Sequence, residues 1–346
     1  MYCLPIGLLG QQMVTVMTYN ILNYTTPSNS NPFGNDANRT QLFRQIVEFA
    51  AADIIIIQEL KQLSAATQLV NELNANGILG KTYAHAPSFT SYGTLGNMLI
   101  YNDNLFDFVS QQELPITNSI LDSDGVTPLY APRAVSKYVM DLVNPDCPQQ
   151  STQILFYGAH LKASQGNENR DRRLLGVLDL FDDVNLQPAG TNIIFGCDCN
   201  FYDVNEPGYL ELLDVANAQP LVDELGPWVR NNNAEAIKYT QSTRNASFNE
   251  YGNGGAHGGM DDRFDFLFVS GSINTGSNYA AYQAGTYATL GNAGVATNDN
   301  ASSGTSPIAL EVQQMSDHFP VILTIEVDFD PADACNNCTA PAGFVN

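Results

Sequence analysis

Polar residues of the kinds that bind metal ions or move protons sit at the ends of apolar runs in this chain. The run Ile54-Ile55-Ile56-Ile57 ends on Gln58-Glu59, and Thr18-Tyr19 ends on Asn20. A carboxylate straight after four isoleucines is strongly disfavoured in a dry interior unless it has a partner, so Glu59 needs a cation, a helix cap or a salt bridge. In Phe195-Gly196-Cys197-Asp198-Cys199-Asn200 a strand projects Asp198 and Asn200 from one face and the two cysteines from the other. A carboxylate beside an amide can hold a phosphoryl oxygen or a water carried by a metal; the alternative is a turn rich in Asp and Asn. The same alternation in Tyr157-Gly158-Ala159-His160-Leu161-Lys162 sets His160 and Lys162 together. A lone histidine on a strand is more often structural than catalytic. Only four occur here, however, and His318 follows Asp317 in Met315-Ser316-Asp317-His318-Phe319-Pro320, a pairing suited to general-base work and metal binding. In Asp261-Asp262-Arg263-Phe264-Asp265-Phe266, Arg263 and Asp265 share a face, and an inward Asp265 could hold an imidazole in one tautomer.

These residues need strands to carry them, and short β-branched runs recur at the right places. Strands are predicted over 14–19, 53–58, 97–101, 135–142, 153–161, 191–197, 263–269 and 320–327. Runs such as Ile54-Ile55-Ile56-Ile57 are apolar on both faces, as in a sheet covered on both sides. One helix is read from Phe43, Ile46, Val47 and Ala50, another from Leu174, Val177, Leu178 and Phe181. A third is expected to start near Pro207, a residue suited to a first helical turn, and to run through Leu210 to Val215. Interspersed strands and helices imply an α/β layered sandwich. The Gly-, Asn- and Ser-rich stretches 230–260 and 271–306 read as long surface loops inside one catalytic unit.

Composition narrows the possibilities. Hydrophobic residues make up 44% and charged ones 14%, a globular balance. Lys plus Arg number 14 against 36 Asp plus Glu, so 14 − 36 = −22. That field opposes broad nucleic-acid binding, although divalent cations and a few arginines can favour phosphate in one cleft. No run approaches the roughly 20 apolar residues that span a bilayer, and the start MYCLPIGLLGQQM lacks a basic leader pattern, so a leader is read as absent or already removed. Six cysteines permit disulfides, and Cys335–Cys338 in the tail is expected to be a local one rather than a zinc site.

The ordered set TYNIL, QE, HL, GCDCN, RFDF and SDHFP resembles the motif series of the deoxyribonuclease-I-like endonuclease/exonuclease/phosphatase superfamily. The match runs from residue 14 to 327. It implies a catalytic domain over 14–327, an N-terminal extension over 1–13 and a CxxC-bearing tail over 328–346. It also implies an α/β fold of four layers, α/β/β/α, in which two packed mixed β-sheets are flanked by helices. By position, Asn20, Glu59 and Asp317 are the expected metal residues. Asp198 and Asn200 would hold water and phosphate, Asp265 would orient His318 as acid/base, and His160 would meet the scissile phosphate. Two departures stand out: one residue is inserted between Gly196 and Asp198, and the segment near Tyr92 to Tyr101 lacks the acidic partner that the deoxyribonuclease branch gives its first histidine. The implied reaction is metal-dependent phosphoester hydrolysis with Mg²⁺ or Mn²⁺, helped by Ca²⁺. A secreted or periplasmic nuclease acting on DNA or RNA comes first, with Lys162, Arg133, Arg170 and Arg172 as substrate contacts. A phosphodiesterase or phosphatase for lipid headgroups, inositol phosphates or other small phosphoesters comes second, and a non-catalytic binding module third. Nothing in the sequence points to a protein partner.

Overall fold

Ile54 to Ile57 are all fully buried, because the strand they form is covered on one face by helices and on the other by a second sheet. The computed structural model describes residues 11–25, 36–89, 91–92, 95–144, 147–245, 254–296 and 298–329. One sheet holds β1 (Gln12–Tyr24), β2 (Ile54–Leu60), β3 (Tyr83–His85), β4 (Ser91–Tyr92) and β5 (Leu95–Asn102). The second holds β6 (Phe106–Glu113), β9 (Ser136–Asn144), β10 (Cys147–His160), β11 (Ile193–Asp198), β12 (Leu221–Val222) and β13 (Asp265–Ser270). A small hairpin, β7 (Ser119–Leu121) with β8 (Pro128–Tyr130), stands apart. The chain then returns to the first sheet with β14 (Ala280–Tyr282), β15 (Ala288–Thr289) and β16 (Val321–Val327).

The first sheet runs β14-β16-β1-β2-β5-β3, with β15 on β16 and β4 on β5, and the second runs β12-β13-β11-β10-β9-β6. Each is mixed, with β1–β2 and β10–β11 as its parallel pair. Helices α1 (Asp36–Ala50), α2 (Leu63–Ala75) and α6 (Ala309–Met315) cover the first sheet, with α1 packed on α2 and α6. Helices α3 (Asn167–Val184), α4 (Pro207–Leu213) and α5 (Gly271–Thr275) lie with the second sheet. The result is the four-layer α/β/β/α sandwich that the motif series implied.

The sheets touch closely where Gly158 and Gly196 pair across β10 and β11. A Cβ on Gly158 would lie 2.9 Å from Ile56, and one on Gly196 2.8 Å from it, so the two glycines make the space that Ile56 fills.

All eight expected strands are present, with ends shifted by a few residues. Several expectations change. On α3 the buried face is Arg173, Val177, Leu180, Phe181 and Val184, while Leu174 and Leu178 are only half-buried. Leu178 packs with Leu129, Ala131 and Leu175 beneath the β7–β8 hairpin instead. Helix α4 stops at Leu213, leaving Val215 87% exposed. The stretch 271–306 is not one loop, since it begins with α5, and β14 and β15 then widen the first sheet. The Cys335–Cys338 expectation lies outside the described residues. Among these, no helix is long and apolar enough to cross a membrane.

Candidate active site

Three adjacent strands of the second sheet assemble one side of the site. Parallel pairing sets His160 opposite Asp198, and antiparallel pairing sets Asp198 opposite Asp265. The first sheet contributes from the facing edge. Asn20 pairs with Gln58, which leaves Glu59 one step further, and β16 starts opposite Thr18, three residues after His318. In the irregular last turn of each strand, where the β1–β2 register shifts, the backbone is left-handed at Leu22, Asn23 and Glu59, with φ of 45°, 52° and 61°, a conformation that costs non-glycine residues energy. Hydrogen bonds hold it: Glu59 Oε2 accepts from the Asn23 N–H at 2.9 Å, and Asn20 Oδ1 from the Leu22 N–H at 3.0 Å. Arg39 donates to the carbonyls of Ile21, Leu22 and Met315, tying this corner to α6.

Asp198 is the hub. Its Oδ2 accepts from Asn20 Nδ2 at 2.8 Å and its Oδ1 from Asn200 Nδ2 at 2.8 Å. The same Oδ2 lies 3.4 Å from His160 Nε2 and 3.8 Å from His318 Nε2. Asn20 Nδ2 also reaches Glu59 Oε1 at 3.1 Å. Behind His318, Asp265 Oδ2 meets Nδ1 at 2.8 Å, and the Asp265 N–H is held by Thr240 Oγ1 at 3.0 Å.

Among the described residues, two groups of three side chains could hold a cation: Glu59, His160 and Asp198, and Asp198, Asp265 and His318. In each, donor atoms lie within 4.8 Å of one another. The carboxylates suit a hard divalent ion. Asp265 Oδ1, Asp317 Oδ1 and His160 Nδ1 are buried without a partner among the described residues, a costly state for polar atoms. Asn20, as placed, steadies Glu59 and Asp198 through its amide nitrogen, while its oxygen serves Leu22. Asp317 belongs to neither group. Its Oδ2 accepts from the Ala256 N–H at 2.6 Å and from Gln241 at 3.3 Å, which leaves Oδ1 as its free ligand atom. A Cβ on Gly255 would sit 2.8 Å from Asp317 Cγ, so glycine is required where this loop crosses the carboxylate.

Burial pushes the Asp198 carboxyl well above the usual range; His318 and Asn20 oppose the rise, while Asp265 and Glu59 add to it. Burial also raises Glu59, with Asp317 adding and His318 opposing. For His318, burial disfavours the charged ring, but Asp265, Asp198 and Asp317 outweigh it and hold the imidazole well above its usual value. His160 goes the other way. Burial, then the charges of Arg133, His318 and Lys162, hold it well below its usual value, which favours the neutral ring. Two histidines on one carboxylate thus carry opposite proton preferences, as an acid/base pair requires.

Of the expected substrate contacts, Arg133 is at the site, donating to the carbonyls of His160 and Leu161 at 2.9 and 3.0 Å. Lys162 Nζ bonds the Ala163 carbonyl at 2.8 Å. Arg170 lines a separate cavity of about 150 Å³ with Arg173, Tyr202 and Glu206. Arg172 pairs with Glu168 at 2.9 Å. Sequence reasoning missed Gln241, whose Nε2 lies 2.6 Å from His318 Nε2. It also missed Ser316, which accepts from the His318 N–H at 3.1 Å and donates to the Asn20 carbonyl at 2.7 Å. Ser316 lies inside the SDHFP motif and could have been weighed there; Gln241 sits in an irregular loop with no pattern to mark it. Cys197 and Cys199, on either side of Asp198, are joined in a disulfide, and Cys147 is disulfide-bonded too.

No protein-family model and none of the curated proteins matches the chain. Solved structures do. An endonuclease/exonuclease/phosphatase family protein from Bacteroides thetaiotaomicron is 17% identical with a TM-score of 0.56, covering 93% of this chain and 100% of its own. The mannosyl-6-phosphatase of the same organism is 17% identical with a TM-score of 0.54, over 90% and 99%. D. rerio TDP2 complexed with a single-strand DNA product is 13% identical with a TM-score of 0.52, over 90% and 98%. The chain therefore has the fold of the endonuclease/exonuclease/phosphatase proteins.

Proposed function

We propose that this protein is a divalent-metal-dependent phosphoester hydrolase. The observation that carries the reading is the convergence on Asp198 of two cation-capable groups and two histidines, one of them backed by a buried aspartate. Glu59 and Asp198, steadied by Asn20, would hold the ion, with Asp317 Oδ1 as a further oxygen. When bound, the ion offsets the carboxylates and stabilises charge on the phosphoryl oxygens.

The chain's own residues supply the rest. Asp265 accepts a hydrogen bond from the Nδ1–H of His318 and fixes the ring, leaving Nε2 on the Asp198 side to exchange a proton with water or leaving group. A protonated ring requires Gln241 to turn its amide oxygen toward Nε2, since two N–H donors cannot share that contact. Neutral His160 can donate to a phosphoryl oxygen or leaving group beside Asp198. Asn200 holds Asp198 Oδ1 and so orients the carboxylate toward the attacking water. Arg133 adds positive charge beside His160.

We read the first substrate as a nucleic-acid phosphodiester, because Arg133 and Lys162 gather positive charge at the His160 end of the site. The net charge of −22, together with likeness to a mannosyl-6-phosphatase, supports a small phosphoester as the second reading. Disulfides at Cys147 and Cys197–Cys199 support a secreted or periplasmic location. The test is hydrolysis of bis-p-nitrophenyl phosphate in Mg²⁺ or Mn²⁺, with and without excess chelator. Turnover that vanishes with chelator and returns with metal is expected; full turnover in chelator overturns the assignment. Plasmid nicking across salt concentrations then separates the two substrates, since contacts to polyanions weaken steeply with salt.

A further inference from the structure

The disulfide between Cys197 and Cys199 encloses a single residue, and that residue is Asp198. A cross-link stabilises a fold mainly by removing freedom from the unfolded chain, and its effect grows with the length of chain enclosed. A bond between residues two apart is near the minimum of that scale. Its effect must be sought locally.

The local geometry is specific. Gly196 and Asp198 share the face of β11 that looks toward the first sheet, where a Cβ on Gly196 would meet Ile56 and Thr18 and Asp198 meets Asn20. The two cysteines lie on the opposite face, both fully buried in the core that includes Phe201 and Phe266. Backbone bonds grip the segment from both sides, with the Leu161 N–H on the Asp198 carbonyl at 2.9 Å and the Cys199 N–H on the Phe264 carbonyl at 2.7 Å. Regular strand ends at Asp198, and two residues later Asn200 is left-handed, with φ of 54°. The bond thus bridges the point where the strand gives way to a turn. This is also where the sequence departs from the motif it resembles, because an extra residue, Cys197, stands between Gly196 and Asp198.

We propose that the Cys197–Cys199 disulfide is a positioning device: it fixes the backbone on both sides of Asp198 and aims the carboxylate between Asn20 and Asn200. The assignment of Asp198 to a cation rests on the hydrolase reading above, but the positioning itself does not.

The experiment compares the full-length protein with Cys197→Ala/Cys199→Ala, in three measurements. In metal-free protein, NMR follows the side-chain amide protons of Asn20 and Asn200, which donate to Asp198. Both are expected to shift and broaden in the variant. Thermal melting is expected to stay within a few degrees of wild type. Mn²⁺ titration by calorimetry is expected to show affinity at least about tenfold weaker, with a parallel loss of kcat and little change in KM. Unchanged Asn20 and Asn200 signals overturn the proposal, and so does a variant that fails to fold, because the bond would then be a global support. If wild-type protein neither binds Mn²⁺ nor turns over a phosphodiester, the hydrolase reading fails; the NMR comparison still decides the role of the disulfide.

Discussion

In the proposed reaction, His318 is the residue on which most of the chemistry would turn. Asp265 lies on its Nδ1 at 2.8 Å and Asp198 near its Nε2, the orientation that the proposed proton exchange needs. His318→Ala should lower turnover by about 10² to 10⁴, the usual range for a lost acid/base group, with the folded fraction intact. Turnover close to wild type in a stable His318→Ala protein would remove it from the mechanism. Asp265→Asn should also cost activity, because an amide can offer the ring a donor where it needs an acceptor. Gln241→Ala is expected to be milder, about tenfold in kcat, the scale of one hydrogen bond. Steady-state kinetics on the three variants tests that order. The residues that could be read from sequence share a property: each sits where an apolar run meets a polar side chain, so strand periodicity predicts both place and facing. Gln241 and Ser316 lie outside any such run, and their roles exist only once the chain folds them against His318 and Asn20.

At the scale of elements, central strands were legible and peripheral ones were not. Runs such as Ile54 to Ile57 and Ile193 to Phe195 are β-branched or aromatic and buried on both faces. By contrast β6 is an edge strand, FDFVSQQE, with little of its surface covered, so its sequence carries hardly any pattern. Helix α2 buries Ala65, Ala66, Leu69, Val70 and Leu73 but begins without a side-chain cap, so no start signal marked it. The pairing of glycines over Ile56 gives a test of sheet packing. Gly196→Val would force atoms into Ile56 and Thr18 and should cost about 1–3 kcal/mol or more, read as a lower Tm and loss of activity at a lower temperature. An unchanged Tm would mean the two sheets have slack at this point. A titration test belongs to the entry of β13. Asp262 is raised to about 6, chiefly by burial and against the pull of Arg230. A carboxyl raised on folding adds stability below its unfolded pKa, and that stability is lost as pH rises through the folded value. In chelator, Tm should therefore fall more between pH 4 and 7 for wild type than for Asp262→Asn; equal slopes would contradict the burial argument.

For the whole molecule, the acidity and the site belong to one balance. A chain of net charge −22 that gathers Glu59, Asp198, Asp265 and Asp317 in one cleft gains more than catalysis from a cation. Adding Mg²⁺ or Mn²⁺ to chelated protein should raise Tm, since an ion that binds only the folded state stabilises it by mass action. A Tm that is indifferent to millimolar Mn²⁺ would argue against the carboxylate cluster as an ion site. The fold class was visible from the alternation of strands and helices together with the motif series. The long-range sheet order was not, because no local pattern in β1 announces that its neighbour is β16.

That last pairing has a consequence for how the protein is made. β1 lies between β2 and β16, and Val14 pairs with Ile325, so one edge of β1 stays open until β16, far along the chain, has been made. Non-local pairing of this kind closes late and leaves the open edge exposed to other chains until it does. The closing strand follows directly on Asp317 and His318. A chain released before β16 therefore lacks both the histidine and the strand that seals the sheet, so the candidate site is finished only as this sheet closes.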